Sequence, residues 1–257
     1  MAVTIKTKEE IDILRVGGKR LALILQTVGQ AVRPGVTTLE LDNLARKLAE
    51  EKGDKPAFLN YRPPGMKRPY PASICISIND QIVHGIPNES PQTIKDGDIV
   101  SLDMGLNHEG FFTDSALTIG VGKVDIVGIN LIENTKLALH EGINAIKPGK
   151  HIRDISYAIE RFVRPKHLGI VEELCGHGVG YKVHEDPYVP NYCLESKGEK
   201  LKEGMVLALE PMLNEGNKHI VLDKDGWTYR TADGKRSAHF EHTIVVTKDG
   251  CEILTEL

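Results

Sequence analysis

Two aspartates stand where the pattern of the sequence favours apolar strand residues. The stretch Ser101–Gly120, SLDMGLNHEGFFTDSALTIG, contains two apolar, β-favouring runs that carry Asp103 and Asp114. Between them lies a turn-like tetrad, Asn107–Gly110. If the tetrad forms a four-residue hairpin loop, Asp103 pairs directly with Asp114, with Cβ atoms about 5 Å apart on one face. Because like charges placed this way destabilise a sheet, the pair needs a positive charge between its members.

A divalent cation is one candidate for that charge, because hard and borderline metal ions take carboxylate oxygens as ligands. Two other interpretations stay open on the hairpin alone. The strand register could differ from the one assumed, or both aspartates could lie at exposed strand ends.

Two glutamates repeat the anomaly further along the chain. Glu210 in VLALEPM follows an apolar strand-like run, and Glu241 in HFEHTIVV stands at the start of one. An unpaired carboxylate is costly to bury at such positions. Each alone could be a solvated edge position. Together with Asp103, Asp114 and His177, they suit two adjacent divalent ions, a recurring hydrolytic arrangement. Oxygen-rich ligation with one histidine fits Mn, Fe, Co or Zn without choosing among them.

Three histidines stand beside glycine or proline near predicted strand ends. They are His84 in IVHGIP, His177 in LCGHGVG and His184 in VHEDP. The glycines around His177 permit a close backbone approach, although the segment lacks the helix and the acidic residue of a dinucleotide-binding motif. A purely structural role for each histidine is the alternative.

The order of elements repeats once along the chain. Ala31–Glu51 and Ala145–Val163 each contain a helix end, a Pro-Gly break and a second helix, and strands follow both. Two α+β halves in a single compact domain, residues 1–257, are therefore expected. The predicted helices are Lys8–Val32, a second one from an N-cap at Thr38 to about Lys52, Asp125–Lys147 and His151–Lys166.

Short strands fill most of the remaining chain. Apolar runs flank a turn at Asn79-Asp80, whereas the four prolines of the segment from Asn60 to Ser73 exclude a regular element there. The predicted strands of the second half are Met205–Pro211, His219–Leu222, Trp227–Ala232 and Ala238–Thr247.

Composition excludes several classes of protein. No apolar stretch approaches the about 20 residues of a membrane span, and a net charge of −4 gives no argument for nucleic acid. The start lacks the pattern of a signal peptide, so the cytoplasm is the expected compartment. The cysteines are far apart and form no C-x-x-C pair, which favours reduced thiols over a cysteine-ligated zinc site. They are Cys75, Cys175, Cys193 and Cys251.

Seven positions, in order and within matching words, closely resemble the type I methionine aminopeptidases. The resemblance runs over nearly the whole chain and implies the pita-bread fold, with two pseudo-symmetric α+β halves around a curved antiparallel sheet. The seven positions are His84 in VHGIP, Asp103 in SLDMG, Asp114 in FFTDSA, His177 in CGHGVG, His184 in VHEDP, Glu210 in ALEPM and Glu241 in FEHTIVVT.

The resemblance also implies a role for each position. Two divalent metal ions would be bound by five side chains: Asp103, Asp114, His177, Glu210 and Glu241. Asp114 and Glu241 would be shared by the two ions. His84 and His184 would contact the substrate or the tetrahedral intermediate, and Glu210 would also accept a proton from the nucleophile.

An apolar pocket for methionine is implied by the same resemblance. Tyr70, Cys75 and Trp227 should help to line it, although ordinary core packing is the alternative for Cys75 and Trp227. Tyr61 is a weaker match, because the proline-rich loop around it is longer than usual. Val183 stands where many members of the family carry an aromatic residue, which would make that wall roomier.

The implied activity is removal of the N-terminal methionine from nascent polypeptides when the second residue is small. The chain's own start, Met1-Ala2, would then be a substrate in trans. A monomer is expected, with no membrane or specific nucleic-acid partner, and transient ribosome association is left open.

The match is to the short form of type I, without an N-terminal extension. There is also no large insertion between His184 and Glu210, which type II enzymes would have. Two competing functions stay open. One is a proline-specific aminopeptidase or dipeptidase of the same fold, which usually carries an added N-terminal domain. The other is a catalytically inactive binding relative, which would have lost metal ligands.

Overall fold

The computed structural model describes residues 3–257. The expectation that Met1-Ala2 is a substrate of the chain's own activity therefore lies outside the described residues. The helices are α1 (Lys8–Ala31), α2 (Thr38–Glu51), α3 (Ile126–Asn144) and α4 (Ile152–Val163), and α4 continues into a 3-10 turn, Arg164–Lys166.

Fifteen strands accompany these helices within the described residues. They are β1 (Lys55–Pro56), β2 (Cys75–Ile78), β3 (Gln81–Val83), β4 (Ile99–His108), β5 (Phe111–Gly120), β6 (Gly169–Ile170), β7 (Gly176–Gly178), β8 (Glu185–Val189), β9 (Val206–Leu209), β10 (Met212–Asn214), β11 (Ile220–Leu222), β12 (Tyr229–Thr231), β13 (Ser237–His239), β14 (Glu241–Val246) and β15 (Cys251–Ile253).

One nine-stranded antiparallel sheet runs through the molecule. Its main path is β1-β4-β5-β14-β9-β7-β8, with β2 paired to β4 and β15 paired to β14. Two three-stranded sheets, β13-β10-β6 and β11-β12-β3, lie beside it. The central strands carry almost continuous buried residues, as expected for strands that are covered on both faces.

The helices form two pairs, and each pair has its own apolar core. Leu25 of α1 and Leu41 of α2 pack with Met104 of β4 in the first core. In the second core, Ile155 of α4 packs with Leu207 of β9 and with residues of α3 and β14. The predicted repeat of a helix pair, a Pro-Gly break and following strands is thereby confirmed.

The predicted register of the β4–β5 hairpin is wrong by two residues. Asp103 lies opposite Ala116, and Asp114 lies opposite Gly105. The turn has only two residues, Glu109-Gly110, both with positive φ (51° and 89°), as the favoured hairpin turn requires. The rest of the tetrad belongs to β4. Because side chains alternate with a period of two, this shift leaves both aspartates on the same face.

Helix starts differ slightly from the prediction for a local reason. Thr37, and not Thr38, caps α2: its hydroxyl accepts from the N–H of Glu40 at 3.3 Å, and the Glu40 carboxylate accepts from the Thr37 N–H at 2.8 Å. The Thr38 hydroxyl instead donates to the Pro87 carbonyl at 2.8 Å. In the same way, Asp125 caps α3 from outside the helix.

The last predicted strand, Ala238–Thr247, is two strands. The chain changes sheets at Phe240: β13 pairs with β10 in a small sheet, and β14 pairs with β5 and β9 in the large one. This change starts β14 at Glu241, next to the strand that carries Asp114. The segment from Asn60 to Ser73 is irregular, as predicted.

Across residues 3–257, no helix combines the length and the apolar character needed to cross a membrane. The four cysteines are all free thiols, in agreement with the expectation from their spacing.

A close contact explains the two adjacent glycines in the middle of α1. A Cβ added at Gly18 would lie 2.3 Å from the carbonyl oxygen of Leu254, and one at Gly17 would lie 3.0 Å from Cβ of His108. The helix can therefore approach the sheet and the C-terminal segment only with glycine at these positions.

Gly18→Ala should lower the free energy of unfolding by about 1–3 kcal/mol, because the methyl group meets backbone that cannot move away cheaply. The matched control is Gly29→Ala in the same helix, whose methyl group meets only the end of the Ile119 side chain, Cδ1, at 2.9 Å. Urea denaturation measures both variants. A Gly18→Ala protein as stable as the wild type would contradict the packing argument.

Candidate active site

One cavity brings together every side chain that the sequence selects as catalytic, metal-binding or substrate-binding. The lining comprises Phe58, Tyr61, Pro63, Tyr70, Cys75, Val83, His84, Asp103, Asp114, His177, His184, Glu210, Trp227 and Glu241. The lining includes residues of the large sheet and Val83 of β3 from a small sheet, and it combines one acidic wall with one aromatic wall.

The acidic wall is built by strand pairing. Asp103 of β4 lies opposite Cys75 on one side and Ala116 on the other, and Ala116 lies opposite Glu241 of β14. Asp103 and Glu241 are thus two strands apart in one row. Asp114 stands two residues from Ala116 along β5 and shares its face.

A side chain from the neighbouring strand fixes the backbone of Asp114. The Thr243 hydroxyl accepts from the Asp114 N–H at 2.8 Å and donates to the Asp114 carbonyl at 2.7 Å. Glu210 directly follows β9, and its carbonyl accepts from the side-chain amide of Asn191 at 3.1 Å. These contacts hold the backbone from which the carboxylates project.

The four carboxylates are buried beside one another, and no cationic side chain lines the cavity with them. Burial raises the pKa of Asp103 to about 7. Burial, together with the neighbouring carboxylates, raises the pKa of Asp114, Glu210 and Glu241 well above the usual range. No lysine or arginine is among the lining residues of the cavity. Such a cluster of like charges is stable only if it is protonated or neutralised by a ligand.

Within the cavity lining, three buried carboxylate oxygens have no hydrogen-bond partner: Oδ1 of Asp103, Oδ1 of Asp114 and Oε1 of Glu241. One potential ligand atom from each of Asp114, His177 and Glu241 lies within 4.8 Å of the other two. Orphaned oxygens that converge with an imidazole nitrogen match what a divalent metal ion requires, so the residues present fit a metal.

The position of the His177 ring agrees with this fit. Its Nδ1 lies 2.9 Å from the carbonyl oxygen of Gly178, so Nδ1 carries the proton and donates it there. This leaves the lone pair on Nε2, which lies 3.4 Å from Oε1 of Glu210. Burial lowers the pKa of His177 to about 4, which keeps the ring neutral and able to bind a metal.

His84 directly follows β3, His184 directly precedes β8, and both line the cavity. Burial, with the other histidines nearby, lowers the pKa of His84 to about 4 and that of His184 to about 3. The His184 ring centroid is 4.4 Å from that of His177. His84 has a positive φ of 60°, an uncommon conformation for a residue other than glycine and one found at functional sites.

The aromatic wall consists of the predicted pocket residues, Tyr70, Cys75 and Trp227, together with Phe58. Tyr70 and Trp227 pack edge to face with centroids 5.3 Å apart, and the Tyr70 hydroxyl donates to the Gly85 carbonyl at 2.8 Å. Phe58 packs against Tyr70 at 6.5 Å. Cys75 is buried in the same cluster, and so is Val183, which is not among the lining residues of the cavity.

Tyr61 lies in the cavity although the loop around it is long. Its hydroxyl is 2.7 Å from Nδ1 of His184, and the two rings are 5.4 Å apart. Burial raises the pKa of Tyr61, so the hydroxyl stays protonated. A protonated phenol can donate to Nδ1 of His184 or accept from it.

Sequence reasoning missed His239. Its side chain is buried, with Nε2 3.8 Å from Oε2 of Glu210, and burial together with His84 lowers its pKa to about 3. The signal in the sequence was its position two residues before Glu241, the spacing of one strand face. Because the chain passes from β13 to β14 at Phe240, His239 and Glu241 belong to different strands, and this hides the signal.

Comparison with known proteins agrees with this geometry. Residues 12–248 match the model of metallopeptidase family M24. The methionine aminopeptidase of Aquifex aeolicus is 44% identical over 259 residues, with 100% of both chains covered. The crystal structure of a methionine aminopeptidase from Thermotoga maritima superposes with a TM-score of 0.94 at 39% identity, again over 100% of both chains.

A more distant likeness concerns the fold alone. An Xaa-Pro dipeptidase from Bacillus anthracis has a TM-score of 0.76 at 24% identity, and the match covers 98% of this chain and 62% of that one. The two-halved, pita-bread architecture is thus shared with a protein that carries additional chain, as the first competing function anticipates.

The fold and the cavity define a metallopeptidase, and the chain belongs to metallopeptidase family M24. It depends on divalent metal, and all five of the predicted ligand residues are present. Within that family it is a methionine aminopeptidase of the short type I form, a hydrolase that removes N-terminal methionine. The Xaa-Pro dipeptidase from Bacillus anthracis matches with a lower identity and a lower TM-score than the methionine aminopeptidase from Thermotoga maritima.

Added metal should raise the melting temperature, and this rise should be larger at pH 8 than at pH 5. Unfolded carboxyl groups titrate near pH 4, whereas these four are raised in the folded state, with Asp103 at about 7. The folded, metal-free protein thus binds more protons than the unfolded chain and loses stability as the pH rises through this range. Metal binds the deprotonated ligands, so its effect grows in the same direction.

Scanning calorimetry with Mn²⁺ or with a chelator, at each pH, measures this difference in melting temperature. Asp114→Asn is the control variant and should reduce the metal-dependent rise. Equal melting temperatures with Mn²⁺ and with chelator at pH 8 would show that the carboxylates do not share a metal.

Proposed function

We propose that the cavity holds two divalent ions and releases methionine from the N-termini of nascent polypeptides whose second residue is small. The observation that carries the proposal is the set of four buried carboxylates around one neutral imidazole, with orphaned oxygens and no cationic side chain in the lining. Cobalt, manganese, iron and zinc all suit this donor set.

The metal ligands in this proposal are Asp103, Asp114, His177, Glu210 and Glu241. Asp114 and Glu241 are the shared carboxylates. Their positions support this role, since a potential ligand atom from each lies within 4.8 Å of one from His177.

When bound, the ions supply Lewis acidity, which lowers the pKa of water and polarises the scissile carbonyl. Glu210 accepts the proton of the attacking water and passes it toward the leaving amine. Its position supports this role, because Oε1 of Glu210 lies 3.4 Å from Nε2 of His177, beside the other proposed ligands.

His84 and His184 act as neutral hydrogen-bond donors to the substrate. For His184 the proposal assigns the tautomer in which the Tyr61 hydroxyl, 2.7 Å from Nδ1, donates to that nitrogen and the ring proton is on Nε2. An Nε2–H donor suits the oxygen that becomes negative during attack, and such donors stabilise the transition state without reorganisation. Tyr61 is thus a positioning residue for this donor.

The aromatic wall selects the first side chain. Methionine is unbranched and flexible, so it can enter a slot between Tyr70, Cys75 and Trp227 that β-branched residues cannot. Phe58 and Val183 complete the apolar surroundings. The second side chain then lies near His84 and His184, and the proposal requires that only small residues fit there.

The enzyme is taken to act in the cytoplasm as a monomer with a single domain, residues 1–257, meeting nascent chains as they emerge from the ribosome. Contact with the ribosome is transient in this scheme. The free α-amine of the substrate restricts cleavage to the first residue, because one amine seated beside the acidic wall fixes the position of the first peptide bond.

Purified enzyme should release methionine from Met-Ala-Ser, lose that activity in chelator and regain it when divalent metal is restored. Met-Lys-Ser should be cleaved at least about 100-fold more slowly, because its second side chain does not fit beside the histidines. Ala-Pro peptides are the control for a proline-specific enzyme. Comparable rates on Met-Ala-Ser and Met-Lys-Ser would rule out selection at the second residue.

His84→Ala and His184→Ala should each lower kcat by roughly 10²–10⁴-fold, since each removes a donor that acts in the transition state. Both variants should still bind metal. His177→Ala is the matched comparison and should lose metal affinity. Metal content by mass spectrometry and kcat on Met-Ala-Ser separate the two roles, and loss of metal from His84→Ala would show that the assignment is wrong.

A further inference from the structure

A buried ion pair is formed by the residue that directly follows His184. Nζ of Lys6 donates to Oε2 of Glu185 at 2.8 Å, and the two side chains are 1% and 5% exposed. The Thr4 hydroxyl donates to the same oxygen at 2.6 Å. A segment near the start of the chain therefore contacts the base of the loop that carries a substrate-binding histidine.

The second oxygen of Glu185 organises that loop. Oε1 accepts from the backbone N–H of Lys182 at 2.9 Å and from the N–H of Tyr181. The loop joins β7, which contains His177, to β8, which starts at Glu185. One carboxylate thus fixes both the residues that precede His184 and the residue that follows it.

The Lys6 side chain also packs against the loop. A Cβ added at Gly180 would lie 2.4 Å from Cε of Lys6, and Gly180 has a φ of +138°. The ammonium group lies 4.8 Å from the ring centroid of Tyr181, and the backbone N–H of Lys6 donates to the Gly204 carbonyl at 2.9 Å. The lysine is held at both ends, so it can act as a fixed support.

We infer that Lys6 and Glu185 are positioning residues for His184, which hold the loop so that the imidazole stays beside Tyr61 and the metal ligands. The inference rests on the proposed role of His184. Lys6 lines neither this cavity nor the adjoining one, so it acts through the loop. Glu185 is not in the lining beside the acidic wall, but it lines the adjoining cavity together with His177 and His184.

The energetics favour a positioning role over a stabilising one. Replacing both members of a buried ion pair with neutral groups is often harmless, whereas removing one leaves an uncompensated buried charge. The Glu185 carboxylate would then turn or draw in water, and its two amide contacts would change. Displacing a catalytic group by about 1 Å can cost about 100-fold in rate.

Lys6→Met should lower kcat on Met-Ala-Ser by about 10- to 100-fold, with KM within about twofold and metal content unchanged. The double variant Lys6→Met with Glu185→Gln should recover most of kcat, because a glutamine oxygen can still accept from the loop amides. If Lys6→Met does not fold, Lys6→Gln is used. Its amide can still donate to Glu185 but carries no charge, so a smaller loss of kcat is expected, with KM and metal content again unchanged.

The matched control is Arg15→Met. Like Lys6, Arg15 pairs with a carboxylate far away in the sequence: it donates from α1 to Glu252 at 2.6 and 2.9 Å. Unlike Lys6, it does not contact the loop. This variant should lose stability and keep kcat. A Lys6→Met protein that loses only stability, like the control, would overturn the inference.

A second measurement tests whether Lys6 acts through His184. In a His184→Ala background, Lys6→Met should change kcat by less than about twofold, because the group that it positions is gone. The same fold loss in both backgrounds would contradict the inference. A His184→Ala enzyme with wild-type kcat would instead refute the proposed role of His184. The inference would then be decided by the imidazole NMR signals of His184, which should shift in Lys6→Met and not in Arg15→Met.

Discussion

Four carboxylates buried against one another on a single face of the sheet are the constraint on which the rest of the molecule depends. Their burial raises the pKa of each, and the cavity lining offers no lysine or arginine to neutralise them. A fold that accepts such a cluster gives up stability in the metal-free state and regains it when divalent ions bind. This explains why the central strands are so thoroughly packed elsewhere: both helix pairs bury continuous apolar cores against the sheet that carries the acids.

The architecture serves this cluster by bringing strands from both halves to one point. β4 and β5 deliver Asp103 and Asp114 from the first half, while β9, β14 and the segment at His177 deliver the remaining proposed ligands from the second. The change of sheets at Phe240 allows β14 to enter between β5 and β9. The loops then supply what the sheet does not: neutral imidazoles, a phenol hydrogen-bonded to one of them, and an aromatic wall.

Much of this was predictable because the metal site breaks the local rules of strand composition. Acidic residues inside apolar runs stand out in the sequence, and a hairpin register wrong by two residues still placed Asp103 and Asp114 on one face. The turn itself was not predictable from composition. Asn107 and His108 belong to the turn-like tetrad Asn107–Gly110 in the sequence, but they lie in β4. Contacts between distant segments left no periodic signal, so His239 beside Glu210 and Lys6 beside Glu185 emerged only from the fold.

The most direct test of the account is where metal ions bind in a crystal of the enzyme. Crystals soaked in Mn²⁺ or Co²⁺ and measured at the absorption edge of the metal should give two anomalous peaks about 3.5–4 Å apart. Both peaks should lie among the carboxylates of Asp103, Asp114, Glu210 and Glu241, with Nε2 of His177 within bonding distance of one. Peaks elsewhere, or an acidic wall that stays without metal at saturating concentration, would contradict the claim that this cluster is a shared metal site.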